Sequence, residues 1–178
     1  MNNRIQELFA SRSGSVLSVY FTAGYPELED TARLLAALDA AGVDMVEIGI
    51  PFSDSIADGP IIQRCNEQAL RNGMSIVRLF EQLQDLRTIT DMPVVLMGSY
   101  NPVLRFGFER FASRCRELGI DGLILPDLPF DEFERLRSSF RENRLANIFL
   151  VTPHSSEERI RRFAAEDMGF LYVVSSSA

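Results

Sequence analysis

Glu47 and Asp58, eleven positions apart, are the carboxylates of this chain best placed to do acid–base chemistry. Glu47 lies inside the apolar run 45–50, which is too short for a helix and is stopped by Pro51, so the run reads as a strand buried on both faces. Alternation along a strand sends Met45, Glu47 and Gly49 to one side and Val46, Ile48 and Ile50 to the other, giving the acid a small neighbour that leaves room. A carboxyl removed from water resists ionisation, and its pKa climbs towards the range useful for a general acid and base. Asp58 follows in an Ala57-Asp58-Gly59-Pro60 turn ahead of a helical pattern. One carboxylate on a strand and one just past its C-terminal end would form a pair at the mouth of a parallel sheet. Structural alternatives stay open for both: Glu47 as the ion-pair partner of a core arginine, and Asp54 or Asp58 as the cap of a turn or a helix.

The residue types that are missing narrow the chemistry. All 18 basic residues are arginine, so no lysine is present to form a Schiff base. His154 is the only histidine, which supplies a zinc site or a Ser-His-Asp triad poorly; its setting, Thr152-Pro153-His154 ahead of Ser155-Ser156-Glu157-Glu158, reads as a loop leading into a capped helix. Cys65 and Cys115 fall far apart in helical patterns and read as small buried hydrophobes. A formal net charge of −7 with no basic stripe argues against nucleic acid. No apolar run reaches membrane-spanning length, and the N-terminus reads as a short amphipathic helix, so the expectation is a cytoplasmic protein without membrane contact.

The elements that must position the acids alternate along the 178 residues. Strands are expected over 15–21, 45–50, 93–99, 120–125, 147–152 and 169–175, with helices over 29–41, 60–71, 75–86, 108–118, 131–141 and from 155 to about 166. Strands separated by helices imply right-handed βαβ units and a parallel sheet, either open and doubly wound or closed as a (β/α)8 TIM barrel. The first strand-to-helix turn, Thr22 to Pro26, carries no glycine-rich phosphate loop, whereas Asp58, Asn101 and Asp127 all follow strands at the end where barrel active sites lie. The barrel is therefore the expected fold. Six strands are legible where such a barrel takes about eight, so the expectation is a single barrel domain over 1–178, C-terminally incomplete, with the phosphate-holding loops beyond Ala178. A piece ending there would leave strand edges unpaired and is expected to be insoluble or inactive alone.

The run VEIGIPFSDSIADGP, fifteen consecutive residues, resembles the signature of the tryptophan synthase alpha chain family. SVYFTAGYP, LMGSYNP, GIDGLILPDLP and GFLYVVSSSA extend the likeness from about Ile5 to the last residue. Membership would imply a lyase of tryptophan biosynthesis that cleaves indole-3-glycerol phosphate to indole and glyceraldehyde 3-phosphate by a retro-aldol reaction. The resemblance assigns Glu47 to the proton shuttle and Asp58 to the indole N–H. It carries substrate contacts to Tyr20, Ile62 and Leu96, which unaided read as plain core, and sets Tyr172 beside Glu47. Where relatives often read L-M-x-Y-x-N-P, this chain has Leu96-Met97-Gly98-Ser99-Tyr100-Asn101-Pro102, with serine in place of the tyrosine. The family also implies a beta chain partner in an alpha2-beta2 assembly, docking near Asp54, Asn101 and Pro102, with pyridoxal phosphate only in the beta chain and no cofactor here. Two other readings stand beside it: a barrel fragment that only docks, and a different barrel enzyme acting on a phosphorylated substrate.

Overall fold

Parallel strands need a crossover to return the chain to its starting end, and here the helices supply it. A computed structural model describes residues 3–54, 58–166 and 169–174; Ala57 of the expected turn and Ser175 of the last expected strand lie outside the described residues. Strands β1 (Ser18–Thr22), β2 (Met45–Gly49), β3 (Val94–Met97), β4 (Gly122–Ile124) and β5 (Ala146–Asn147) lie side by side in that order, each parallel to the next. The register places Tyr20 opposite Glu47 and Thr22 opposite Gly49.

The expected fifth strand, 147–152, is broken. Its ladder to β4 ends at Asn147, and β6 (Leu150–Val151) pairs instead with β7 (Tyr172–Val173) in a second parallel sheet. Backbone bonds bridge the gap: the Ile148 N–H donates to the Leu123 carbonyl and the Tyr172 N–H to the Phe149 carbonyl, each at 2.9 Å. Phe149 packs among the helices there, stacked on Phe163 with centroids 4.2 Å apart and edge-on to Phe133 at 5.0 Å.

The nine described helices are α1 (Arg4–Ser11), α2 (Asp30–Ala40), α3 (Pro60–Arg71), α4 (Ile76–Gln82), α5 (Leu86–Ile89), α6 (Tyr100–Phe106), α7 (Phe108–Leu118), α8 (Phe130–Glu142) and α9 (Glu157–Ala164). The helix expected over 75–86 is in fact interrupted between α4 and α5, and Arg87 on α5 turns back to the foot of the sheet. Helix α6 was not among the expected helices; proline is tolerated in its first turn, where no intrahelical N–H is required. His154 sits exposed before α9, whose cap is Ser156 accepting from the Arg159 N–H at 3.2 Å. Cys115 is fully buried but Cys65 only half-buried, and both are free thiols. No helix among the described residues is long and apolar enough to cross a membrane.

Side-chain parity divides the core in two. Val46, Ile48, Val94, Leu96 and Leu123 face the helices and join one large apolar cluster. Met45, Val95, Ile124, Ala146 and Ile148 face inward and meet Ile5 of α1, which plugs the N-terminal end of the arc. That plug is anchored by Asp121: its carboxylate accepts from Arg87 at 2.6 Å, Arg4 at 3.2 Å and the Val94 N–H at 2.9 Å, while its carbonyl accepts from the Asn3 amide at 3.2 Å. Burial pushes the Asp121 carboxyl up, against the downward pull of Arg87, Val94 and Arg4.

Candidate active site

The inward face of β1 and β2 carries the polar residues. Ser18, Tyr20 and Thr22 alternate with Val19 and Phe21 along β1, and Glu47 faces them from β2. Glu47 is 4% exposed. Among the described residues it has one hydrogen-bond partner, the Ser18 hydroxyl, which donates to Oε1 at 2.7 Å. Burial pushes the Glu47 carboxyl above the usual carboxylate range, and the Ser18 bond pulls the other way. The alternative of a core ion pair is excluded within the described residues: the buried arginine pair of this fold is Arg87 with Asp121, not Glu47.

Gly49 has a more definite partner than its neighbour Glu47. A methyl group at Gly49 would meet the Tyr20 ring, with Cζ at 2.7 Å and Cε2 at 3.0 Å, so the glycine is the seat of the tyrosine ring. Tyr20 lies between both acids: burial raises its phenol, the Thr22 hydroxyl 3.4 Å away lowers it, and Asp58, Cys65 and Glu47 add to the rise.

Beyond the C-terminal ends of β1 to β4 opens a cleft of about 340 Å³, bounded by Tyr20, Phe52, Asp58, Asn66, Met97 and Asp127. Asp58 does not cap α3, whose cap is Gly59 with Pro60 as the first helical residue. Its Oδ2 accepts from the Asn66 amide at 3.1 Å, and the Gln63 amide donates to its backbone carbonyl at 2.9 Å. Asn66 is 3% exposed and sits two turns into α3, so the rigid part of the helix holds the carboxylate at the cleft wall. Asp127 accepts the Tyr100 N–H at 2.7 Å and ties the start of α6 to the same rim.

Several expected substrate positions shift. Leu96 is fully buried against the helices and faces away from the cleft; this corrects the expectation, and parity explains it, since Glu47 pairs with Val95 and the inward positions on β3 are Val95 and Met97. Met97 is the cleft residue. Ile62 is half-buried one helical turn before Asn66, on the same side of α3, and is not part of the cleft lining. Tyr172 packs with the inner cluster; burial raises its phenol and the charge of Glu47 raises it further, but the hydroxyl that bonds Glu47 is Ser18. Ser99 lines the cleft, and Tyr100 turns its hydroxyl to Glu132 at 3.2 Å. Asp54 and Asn101 are exposed on the rim and Pro102 is half-buried. Ser18, Asn66 and Met97 were missed. The alternation Ser-Val-Tyr-Phe-Thr and the parity of β3 relative to Glu47 held the signal for the first and last; nothing local marks Asn66.

Comparison with known proteins follows the same geometry. The family model for the tryptophan synthase alpha chain matches residues 8–178. The tryptophan synthase alpha chain of Parabacteroides distasonis is 52% identical over 177 residues, covering 99% of this chain and 69% of the relative. That of Flavobacterium psychrophilum is 48% identical over 179 residues, covering 100% of this chain and 69% of its own. Among solved structures, the alpha chain from Legionella pneumophila superposes with a TM-score of 0.91 at 35% identity, over 100% of this chain and 68% of that one. Tryptophan synthase from Mycobacterium tuberculosis gives 0.93 at 34% identity, over 100% and 70%. With such neighbours the strands described above form an arc of a (β/α)8 barrel.

Proposed function

The chain belongs to the tryptophan synthase alpha chain family, lyases that cleave indole-3-glycerol phosphate in tryptophan biosynthesis, and on that premise we propose how its own residues divide the reaction. A retro-aldol cleavage makes the indole C3 a leaving carbon by protonating it, and removes the proton of the adjacent side-chain hydroxyl so that a carbonyl forms as the carbon–carbon bond breaks. Glu47 does both in turn: it gives its proton to C3 and, as carboxylate, takes the hydroxyl proton. The observation that carries this reading is its burial on the inward face of β2, with a raised pKa and no cationic partner among the described residues.

Protonation at C3 spreads positive charge to the ring nitrogen. Asp58 stabilises that charge through its Oδ1, its Oδ2 being held by Asn66, and the gain is larger in the transition state than in the ground state. Tyr20 and Met97 form walls for the flat ring, and Tyr172 borders Glu47 from β7. The family's alpha chain carries no cofactor and works with a beta chain. In this reading pyridoxal phosphate belongs to the beta chain, the assembly is alpha2-beta2, and the docking face includes Asp54, Asn101 and Pro102, beside Leu104, which is 51% exposed. The test is indole release from indole-3-glycerol phosphate by the protein with its beta chain. Release that is lost in Glu47→Gln and Asp58→Asn supports the assignment; release insensitive to both removes it.

A further inference from the structure

We propose that Ser18 is a positioning residue for the reaction, holding Oε1 of Glu47 so that Oε2 alone handles the migrating proton. This rests on the assignment of Glu47 as proton shuttle. The observation is geometric: the Ser18 hydroxyl donates to Oε1 at 2.7 Å, on the side of Glu47 away from the cleft, because Ser18 pairs with Met45, two residues before Glu47, while Tyr20 stands opposite the acid itself. The carboxyl is therefore tethered from the N-terminal side of the strands, opposite the ends where the cleft opens. Arg87 and Arg4, the cations nearest the inner plug, are spent on Asp121, so they offer Glu47 no competing partner.

A serine suits a group that must change protonation state during every turnover. Its hydroxyl donates to the carboxylate and, by rotating about its C–O bond, accepts from the protonated acid, so the tether survives both halves of the cycle. A lysine or arginine would hold the carboxylate but oppose its protonation, and an apolar residue would leave the buried charge without a donor. The Ser18 bond also restrains the rise that burial imposes, which keeps the carboxylate form available as base once C3 has been protonated.

The test compares wild type with Ser18→Ala, Ser18→Cys and Ser18→Thr, each as the chain together with its beta chain. The Glu47 side-chain carboxyl is followed by carbon-13 NMR titration, and kcat and KM for indole-3-glycerol phosphate are measured across pH. Ser18→Ala is expected to move the Glu47 midpoint upward, to shift the alkaline limb of the kcat profile, where the protonated acid is lost, the same way, and to lower kcat by about tenfold with KM little changed, a hydrogen bond to a charged group having been lost. Ser18→Thr restores both midpoint and kcat, and Ser18→Cys, a weak donor, falls between; it replaces the alanine comparison if Ser18→Ala does not fold. An unshifted midpoint in a folded Ser18→Ala or Ser18→Cys protein overturns the proposal. If the midpoint shifts while Glu47→Gln still turns over normally, the tether stands and the assignment of Glu47 as the shuttle fails.

Discussion

Alanine at position 49 would bring a methyl group within 2.7 Å of Cζ and 3.0 Å of Cε2 of Tyr20, closer than carbon atoms tolerate. The strand cannot retreat, since Gly49 is paired to Thr22 on one side and Met97 on the other. The ring must therefore swing off its seat, and the open space available to it is the cleft of about 340 Å³ that it already borders. Overpacking of this kind costs about 1–3 kcal/mol. For a chain of this size each kcal/mol lowers the melting temperature by about 2–4 °C, so a fall of roughly 5 °C is expected. Indole release should suffer through KM, because the displaced ring occupies substrate space while Glu47 and Asp58 are untouched. Gly49→Ala combined with Tyr20→Leu removes the ring that clashes, and the pair should be less destabilised than the sum of the single changes, a coupling read from thermal melts in a double-mutant cycle. Wild-type melting and KM for Gly49→Ala would refute the reasoning, as would strict additivity of the pair.

Asp58→Asn keeps the Asn66 contact and the shape of the cleft wall but loses the charge, so indole release should fall by about a hundredfold; an unaffected rate would return Asp58 to a structural role. Asp121→Ala strips the carboxylate partner from the largely buried Arg87, the Val94 N–H and Arg4, leaving the Asn3 bond to the backbone carbonyl, and should cost about 3–5 kcal/mol in chemical denaturation. A loss below about 1 kcal/mol would show the α1 plug to be held by Ile5 packing and the Asn3 bond to the backbone, without the carboxylate. Glu47→Gln should stabilise the protein at neutral pH. Because burial raises the folded pKa of Glu47 above its unfolded value, the stability linked to its proton is complete below the unfolded pKa of about 4.3 and is lost as pH rises through the folded value. The melting-temperature gain of Glu47→Gln should accordingly be seen at pH 7 and vanish towards pH 4; a gain independent of pH would contradict the cause assigned to the shift.

The sequence pattern locates what depends on local periodicity. Residues 45–50 show their two-faced strand by alternation, and Pro60 and Asn72-Gly73 bound α3 where the structure has it. What escapes is decided by tertiary packing. The bend at Ile148 and Phe149 follows from aromatic contacts with α8 and α9 that no local window contains. The break between α4 and α5 turns Arg87 towards Asp121, 34 residues further on. Likeness to a family set Leu96 in the pocket, but parity with Glu47 decides the matter and points to Met97. Gly49 looked like room for Glu47 because the two are neighbours on one face; the neighbour it serves, Tyr20, comes from the next strand.

The most direct measurement is steady-state indole release from indole-3-glycerol phosphate by Glu47→Gln, paired with its beta chain and compared with wild type. Glutamine accepts the Ser18 hydrogen bond and fills the same space, but it neither gives nor takes a proton. The predicted result is a loss of kcat by about two orders of magnitude or more, with KM little changed. A kcat close to wild type would contradict the account.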